Sequence, residues 1–234
     1  MRNLLYILVL LISLNSFGQT AEEYYKSGHH KAKVKDYFGA INDYNKAIEI
    51  DPNNADAYYT RGNLKDVLKD YNGAITDYNK AIKLNPKDVD AYNNRGISKR
   101  KLNDYKGAIA DYNTAIELDP NYAPSYNNRG KAKYNLEGYY GAISDFNKAI
   151  KIDPNYADAY YNRGNLKKDD LKDYNGAIAD YNKAIKLNPK DVDAYYNRGV
   201  AKYYLEDKNG ACQDARKVQE YGDDASDLIK AACN

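Results

Sequence analysis

Few residues in this chain could carry out acid–base or nucleophilic chemistry, and they are poorly placed for it. His29 and His30 are adjacent and therefore fall on different sides of a helix. Cys212 and Cys233 stand far outside the CxxC spacing of a thiol oxidoreductase. No phosphate-cradling glycine motif and no zinc-ligand spacing occurs. Asp51, Pro52 and Asn53 have the look of a calcium loop, but the glycine and the distal Glu that such a loop needs are missing. Neither catalysis nor a cofactor or metal is expected.

The polar residues that do recur are suited to recognition. Asn94, Asn128, Asn162 and Asn197 hold equivalent positions. Each amide offers a donor and an acceptor, so it can pair with both backbone groups of an extended peptide, or else with a neighbouring helix. Arg61, Arg95, Arg129, Arg163 and Arg198 form a second series, matched by Asp43, Asp77, Asp111, Asp145, Asp180 and Asp214. These could make a charged binding stripe. The planar guanidinium favours the other reading, in which each Arg pairs with an Asp of its own or an adjacent repeat.

What must position these residues is a repeat of about thirty-four. Glycine returns at Gly28, Gly62, Gly96, Gly130, Gly164 and Gly199. Each is followed by a small residue (Ala40, Ala74, Ala108, Ala142, Ala177, Ala211) and, in five units, by an aromatic: Tyr44, Tyr78, Tyr112, Phe146 and Tyr181. A second alanine follows at Ala47, Ala81, Ala115, Ala149 and Ala184, and a proline closes the unit at Pro52, Pro86, Pro120, Pro154 and Pro189. Ala74, Ile75, Tyr78, Ala81 and Ile82 make one buried helical stripe, which Pro86 cannot continue. A partner helix is predicted over about 56–68, with the turn at 70–73. Gly62 and Ala81 are small because the facing helices approach closely there.

Residues 38–64 nearly recur at 140–166, three repeats later, so a three-repeat block was duplicated. The copy carries one extra residue: GNLKDVLKDY becomes GNLKKDDLKDY, which puts Asp169 and Asp170 where Val67 stood. A bulge or lengthened turn is predicted there.

The Gly, Ala, aromatic, Ala, Pro pattern resembles the tetratricopeptide repeat (TPR) family over about residues 21 to 222. The resemblance implies an all-α, right-handed solenoid of six helix pairs, with the first helix of each pair lining a concave groove. The repeats divide at about 21–54, 55–88, 89–122, 123–156, 157–191 and 192–222, within a repeat region of 19–222. Residues 223–234 form a C-terminal capping helix. By the same resemblance, partner-binding positions fall at Tyr59, Asn63, Asn93, Asn94, Asn127, Asn128, Lys131, Tyr161, Asn162, Asn165, Tyr196 and Asn197. Some family members grip a C-terminal carboxylate with two Lys, two Asn and an Arg. Lys26 and Asn63 substitute poorly for that set, and chaperone-tail binding is not expected.

Repeat six departs from the pattern: Ala215 replaces the aromatic, Val218 the second alanine, and no proline follows. A last helix over about 224–232 would present Ala225, Leu228, Ile229 and Ala232 as one apolar face, as a solenoid cap requires. Antiparallel helices bring together residues symmetric about their turn. The midpoint of 212 and 233 falls at Gly222 and Asp223, so a Cys212–Cys233 disulfide is predicted in an oxidising compartment.

Composition agrees with an interaction module. Of the 234 residues, 29% are charged, with 35 Lys+Arg against 33 Asp+Glu, and mean hydropathy is −0.85. The charges alternate, so the concentrated basic face of a nucleic-acid binder is missing. Residues 1–18 are different: Arg2, an apolar run over 4–14, then Ser16 and Gly18 before Gln19. This is the pattern of a cleaved signal peptide, too short for a stable bilayer anchor. An uncleaved anchor is the alternative. The resulting expectation is an exported scaffold, periplasmic or secreted, that binds a protein or extended peptide. The alternative is a structural subunit of a cell-envelope or secretion assembly, docking by its convex face or ends.

Overall fold

The computed structural model describes residues 19–233; the segment read from sequence as a signal peptide, residues 1–18, lies outside them. The described residues form thirteen helices and no strand, and they fall into two compact units.

The first unit, up to Pro86, contains α1 (Ala21–Lys33), α2 (Tyr37–Ile50), α3 (Ala55–Val67) and α4 (Tyr71–Leu84). Helix starts are set by side chains that satisfy the free N–H groups of the first turn. Thr20 and Glu23 form a reciprocal capping box on α1, and Asn54 accepts from the Ala57 N–H on α3. On α2 and α4 the caps are Asp36 and Asp70, which accept from the N–H of Gly39 and Gly73. α1 packs on α2 and α3 on α4, around Ala40, Tyr44, Ala47, Ala74, Tyr78 and Ala81, all at most 1% exposed.

The close approach inferred at Gly62 is present. A Cβ placed there would lie 2.9 Å from the Tyr78 ring. Burying such a ring contributes about 1.5–3 kcal/mol, and only glycine lets it seat.

The turn differs from the sequence expectation. Residues 70–73 are the cap and first turn of α4, and the chain reverses one residue earlier. Lys69 takes the left-handed conformation, at φ 64°, and the Asp70 N–H returns to the Lys65 carbonyl at 2.8 Å. Gly73 lies inside α4, and its N–H serves the Asp70 cap.

The second unit, from Lys87, contains α5 (Val89–Lys101), α6 (Tyr105–Leu118), α7 (Ala123–Asn135), α8 (Tyr139–Ile152), α9 (Ala157–Asp169), α10 (Tyr174–Leu187), α11 (Val192–Tyr204), α12 (Lys208–Glu220) and α13 (Ser226–Ala232). Within it each trailing helix packs on its own leading helix and on the leading helix of the next pair. The extra residue of the fifth repeat lengthens the turn, as predicted: α9 keeps thirteen residues, and the Asp173 N–H reaches back to the Lys167 carbonyl.

α13 begins at Ser226, two residues later than the sequence suggested, because Asp224 accepts from both the Ser226 N–H and hydroxyl. Ala225, Leu228 and Ala232 are buried with Ala211, Ala215 and Val218, and Ile229 packs against them. The fold is therefore an all-α array of helix pairs closed by a capping helix.

Candidate functional site

Two polar ladders run along the leading helices. In the first, Arg61 Nε and Nη2 donate to the two carboxylate oxygens of Asp77 at 2.8 and 2.5 Å. Lys65 Nζ meets the same carboxylate at 2.8 Å. Arg61 Nη1 then donates to Asn45 Oδ1 of the preceding repeat at 2.6 Å, and its guanidinium lies over the Tyr58 ring. Arg129 with Asp145, Lys133 and Asn113 repeats the arrangement, as do Arg163 with Asp180, Lys167 and Asn147, and Arg198 with Asp214, Lys202 and Asn182. Arg95, Asp111 and Lys99 share its paired core. The Arg and Asp series therefore pair within each repeat, and Arg61, Arg129, Arg163 and Arg198 tie theirs to the preceding one. In the first repeat Ser27 stands in the arginine's place, and Asp43 is held by Ser27 and Lys31, each at 2.6 Å.

The second ladder is made of amides. Asn93 and Asn127 are buried, at 4% and 2% exposure. Asn93 Oδ1 accepts from Asn128 Nδ2 at 3.0 Å and from the Ser125 hydroxyl at 3.2 Å, and Asn93 Nδ2 donates to Asn94. One repeat on, Asn162 Nδ2 donates to Asn127 Oδ1 at 2.9 Å. Asn197 Nδ2 donates to the Tyr161 hydroxyl, and Lys168 Nζ donates to Asn197 Oδ1 at 2.7 Å. Asn94, Asn128, Asn162 and Asn197 are half-buried. Tyr196 is half-buried too. In the first unit the Tyr78 hydroxyl donates to Asn63 Oδ1, and Tyr59 stands against the Tyr78 ring. Tyr161 stands likewise against Tyr181, which donates to Asn165 Oδ1 at 2.7 Å. Burial raises the Tyr161 hydroxyl above its usual value, against the opposing hydrogen bonds of Asn165 and Asn197.

Three sequence-nominated residues of the second unit converge. Lys131, Asn162 and Asn165 line a cavity of about 260 Å³ with Arg100, Tyr134, Asn135, Phe146, Leu166 and Asp169. Burial, and then the charge of Arg100, lower the Lys131 ammonium below its usual value, against a weaker opposing pull from Asp158. Burial and then Asp170 push the Tyr134 hydroxyl up to about 12.

Arg100 and Tyr134 escaped the sequence reading. A signal for them exists: the position four after each glycine reads Ala32, Asp66, Arg100, Tyr134, Lys168 and Tyr203, unlike the near-invariant positions around it. At the C-terminal end the Cys212 and Cys233 sulfurs lie 2.08 Å apart, at bonding distance. At the N-terminal end His29 Nδ1 is 3.4 Å from the Tyr44 hydroxyl, and His30 is exposed. No helix among the described residues is long and apolar enough to cross a membrane.

Comparison with known proteins agrees with this geometry. The TPR repeat model matches residues 22–65, 68–99, 98–137, 138–169 and 170–205. Among solved structures, MamA is 28% identical with a TM-score of 0.60, over 68% of this chain and 93% of its own. YrrB, described as a TPR protein with an unusual peptide-binding site, is 23% identical with a TM-score of 0.59, over 81% and 97%. PilW, described as a widely conserved type IV pilus biogenesis factor, is 17% identical with a TM-score of 0.78, over 93% and 100%. No curated protein sequence matches the chain. With its helix pairs, its glycine-seated rings and five matched segments, the chain belongs to the TPR repeat family.

Proposed function

We propose that this protein is an exported, non-catalytic interaction scaffold that binds an extended polypeptide segment along its leading helices. The observation that carries the reading is the convergence of Lys131, Asn162 and Asn165 on one open cavity of the second unit. The half-buried amides of Asn94, Asn128 and Asn162 would supply backbone-directed donors and acceptors, and Tyr161 and Tyr196 add flat amphipathic area. Asn93 and Asn127 act one step behind, holding Asn128 and Asn162 in place. The peptide-binding site named for YrrB is consistent with such use of the fold.

Export rests on the signal-like segment at residues 1–18 and on the cysteine pair at bonding distance, which suits an oxidising compartment. The pilus-biogenesis description of PilW gives the structural-subunit reading a specific motive. In that reading the protein docks into an envelope assembly by another face.

The test is affinity capture from an envelope extract with the mature protein and an Asn94→Ala/Asn128→Ala/Asn162→Ala variant, after circular dichroism has shown that the variant keeps its helices. A partner held by the parent and lost by the variant supports the scaffold reading. The same partner on both, in fixed stoichiometry, overturns it in favour of the subunit.

A further inference from the structure

Charges that alternate along the chain are sorted by the fold. In the second unit the leading-helix cations Arg129, Lys133, Arg163, Lys167, Arg198 and Lys202 turn towards buried carboxylates and pair with them. The trailing helices do the opposite. The one acid of α8, Asp145, and the one acid of α10, Asp180, are both buried, while Lys148, Lys151 and Lys186 are exposed and Lys183 is half-buried. On α12 Asp214 is buried, Glu220 is paired with Lys217, and Lys208 and Arg216 are exposed.

Nothing neutralises these outward cations. Among the described residues no ion pair holds Lys151, Lys186, Lys208 or Arg216. Lys148 and Lys183 lie over the Tyr126 and Tyr160 rings, at 5.8 and 5.9 Å, which places the ammonium groups without cancelling their charge. Arg216 stands where α8 and α10 have Asn147 and Asn182, each of which accepts from the arginine of the following repeat. α12 is followed by α13, which brings no such arginine, and the position holds an exposed Arg instead. Around the charges lie Ser144, Asn147, Ala179 and Asn182, all small or polar and all exposed. Among the described residues Tyr140, 85% exposed, is the single large apolar residue exposed on α8, α10 or α12. It shares one face of α8 with Ser144, Asn147 and Lys151, at helical spacing.

We propose that the outward faces of α8, α10 and α12 hold the protein on an anionic lipid bilayer, with Tyr140 entering the headgroup layer. Lysine is a point charge on a flexible stem, suited to a surface of many interchangeable anions. A folded acidic partner is instead gripped through buried apolar anchors, which these faces lack. Tyrosine is one of the two aromatics that settle at a membrane–water boundary. The attachment is peripheral, since no helix among the described residues is long and apolar enough to cross a membrane. It goes beyond the scaffold reading and leaves the leading helices open to the polypeptide. It rests on that reading only for the exported setting, which favours lipid over nucleic acid.

The test is co-sedimentation of the intact mature protein with vesicles of mixed phosphatidylglycerol and phosphatidylcholine, against vesicles of phosphatidylcholine alone. Lys151→Glu/Lys186→Glu reverses two charges on the proposed face. Lys33→Glu/Lys101→Glu makes the same change in net charge on exposed residues of leading helices. The chain has no Trp, so Tyr140→Trp adds a single fluorescent reporter at the proposed contact. Duplex DNA and polyglutamate serve as competing polyanions.

The expected result is binding to the anionic vesicles alone, weakened at least about tenfold by Lys151→Glu/Lys186→Glu and less than about twofold by the control pair. Raising the salt from about 0.05 M to about 0.5 M should release the protein, because the attraction is screened. The emission of Tyr140→Trp should move to shorter wavelength on the anionic vesicles. No binding by the parent protein, or equal binding to neutral vesicles, overturns the proposal, and both are read without any variant. Equal weakening by the two charge reversals overturns it too, as does an unmoved emission from a reporter protein that still binds. DNA or polyglutamate bound more tightly than the vesicles, at equal anion concentration, assigns the face to nucleic acid or an acidic protein instead. Outcomes for the two readings separate. Vesicle binding lost with partner capture kept leaves the scaffold standing, and capture lost with vesicle binding kept leaves the membrane face standing.

Discussion

Leu228 of α13 reaches over Gly199 and occupies the place that a ring holds over the equivalent glycine of every earlier repeat. A Cβ at Gly199 would lie 2.8 Å from Leu228 Cδ2, just as one at Gly164 would lie 2.9 Å from the Tyr181 ring. Repeat six has Ala215 where the ring should be, and the cap supplies the missing volume. Leu228→Ala is therefore expected to open a cavity and to cost about 2–5 kcal/mol, concentrated in α11 to α13. Hydrogen exchange resolves this. Amides of α11 and α12 should lose protection while those of α7 and α8 keep theirs, and uniform loss would contradict a local cap.

The cysteine pair anchors the same cap. Cys212 sits on α12 and Cys233 directly follows α13, with their Cα atoms 5.0 Å apart. Cys233→Ser frees the chain beyond Leu228 and is expected to cost about 3 kcal/mol on the chain-entropy account. Thermal unfolding with and without reductant checks it: reductant should lower the parent's midpoint towards that of the variant and leave the variant unmoved.

The Arg–Asp ladder predicts a non-additive pair. Asp145→Ala leaves Arg129 and Lys133 without their shared carboxylate and should cost about 3–5 kcal/mol. Arg129→Met/Asp145→Leu removes both charges and should cost less than that single change. Urea titrations of the parent, Asp145→Ala, Arg129→Met, Asp145→Leu and the double variant decide it. A double variant as unstable as the sum of its parts would mean that the two residues do not act as a pair.

The repeat was legible because its spacing is written in glycine, alanine, ring and proline, and the Arg–Asp pairing followed from guanidinium geometry. The amides were harder to read. Asn93 and Asn94 are neighbours in sequence, yet one is buried and the other half-buried, because each residue turns the helix by about 100°. Which edge faces the next repeat depends on how the helix is rotated, and periodicity does not fix that. The loss of the ring at Ala215 was visible, but the choice of Leu228 to replace it depends on how α13 docks. The turns misled for a simpler reason: the turn was placed at 70–73, while the left-handed residue is Lys69, and six non-glycine residues adopt that conformation at such turns.

Those turns carry their own prediction. Lys35, Lys69, Asn103, Glu137, Lys172 and Glu206 have φ between 55° and 65°. The left-handed conformation costs a residue with a Cβ roughly 1–2 kcal/mol, against about 0.5–1 kcal/mol for the extra chain freedom of glycine. Lys69→Gly and Glu206→Gly should each stabilise by roughly 0.5 kcal/mol or more and raise the midpoint of thermal unfolding. Lys69→Val, which is stiffer still, should lower it.

Asp43 sets an acid limit on the first unit. Burial raises its carboxyl, but hydrogen bonds from Lys31 and Ser27, together with the charges of Lys31 and Lys46, outweigh burial and leave it below the usual carboxylate value. A carboxyl lowered on folding contributes stability that is complete above its unfolded value, about 3.9, and is lost as pH falls through the folded one. Asp43→Asn should therefore weaken the α1–α2 pair at neutral pH, and the gap to the parent should close as the solution is acidified below about pH 4. Limited proteolysis after α2, run across that range on both proteins, measures the gap. A difference that stays constant from neutral to acid pH would show that the carboxylate's charge contributes nothing, and that only the shape of the side chain matters.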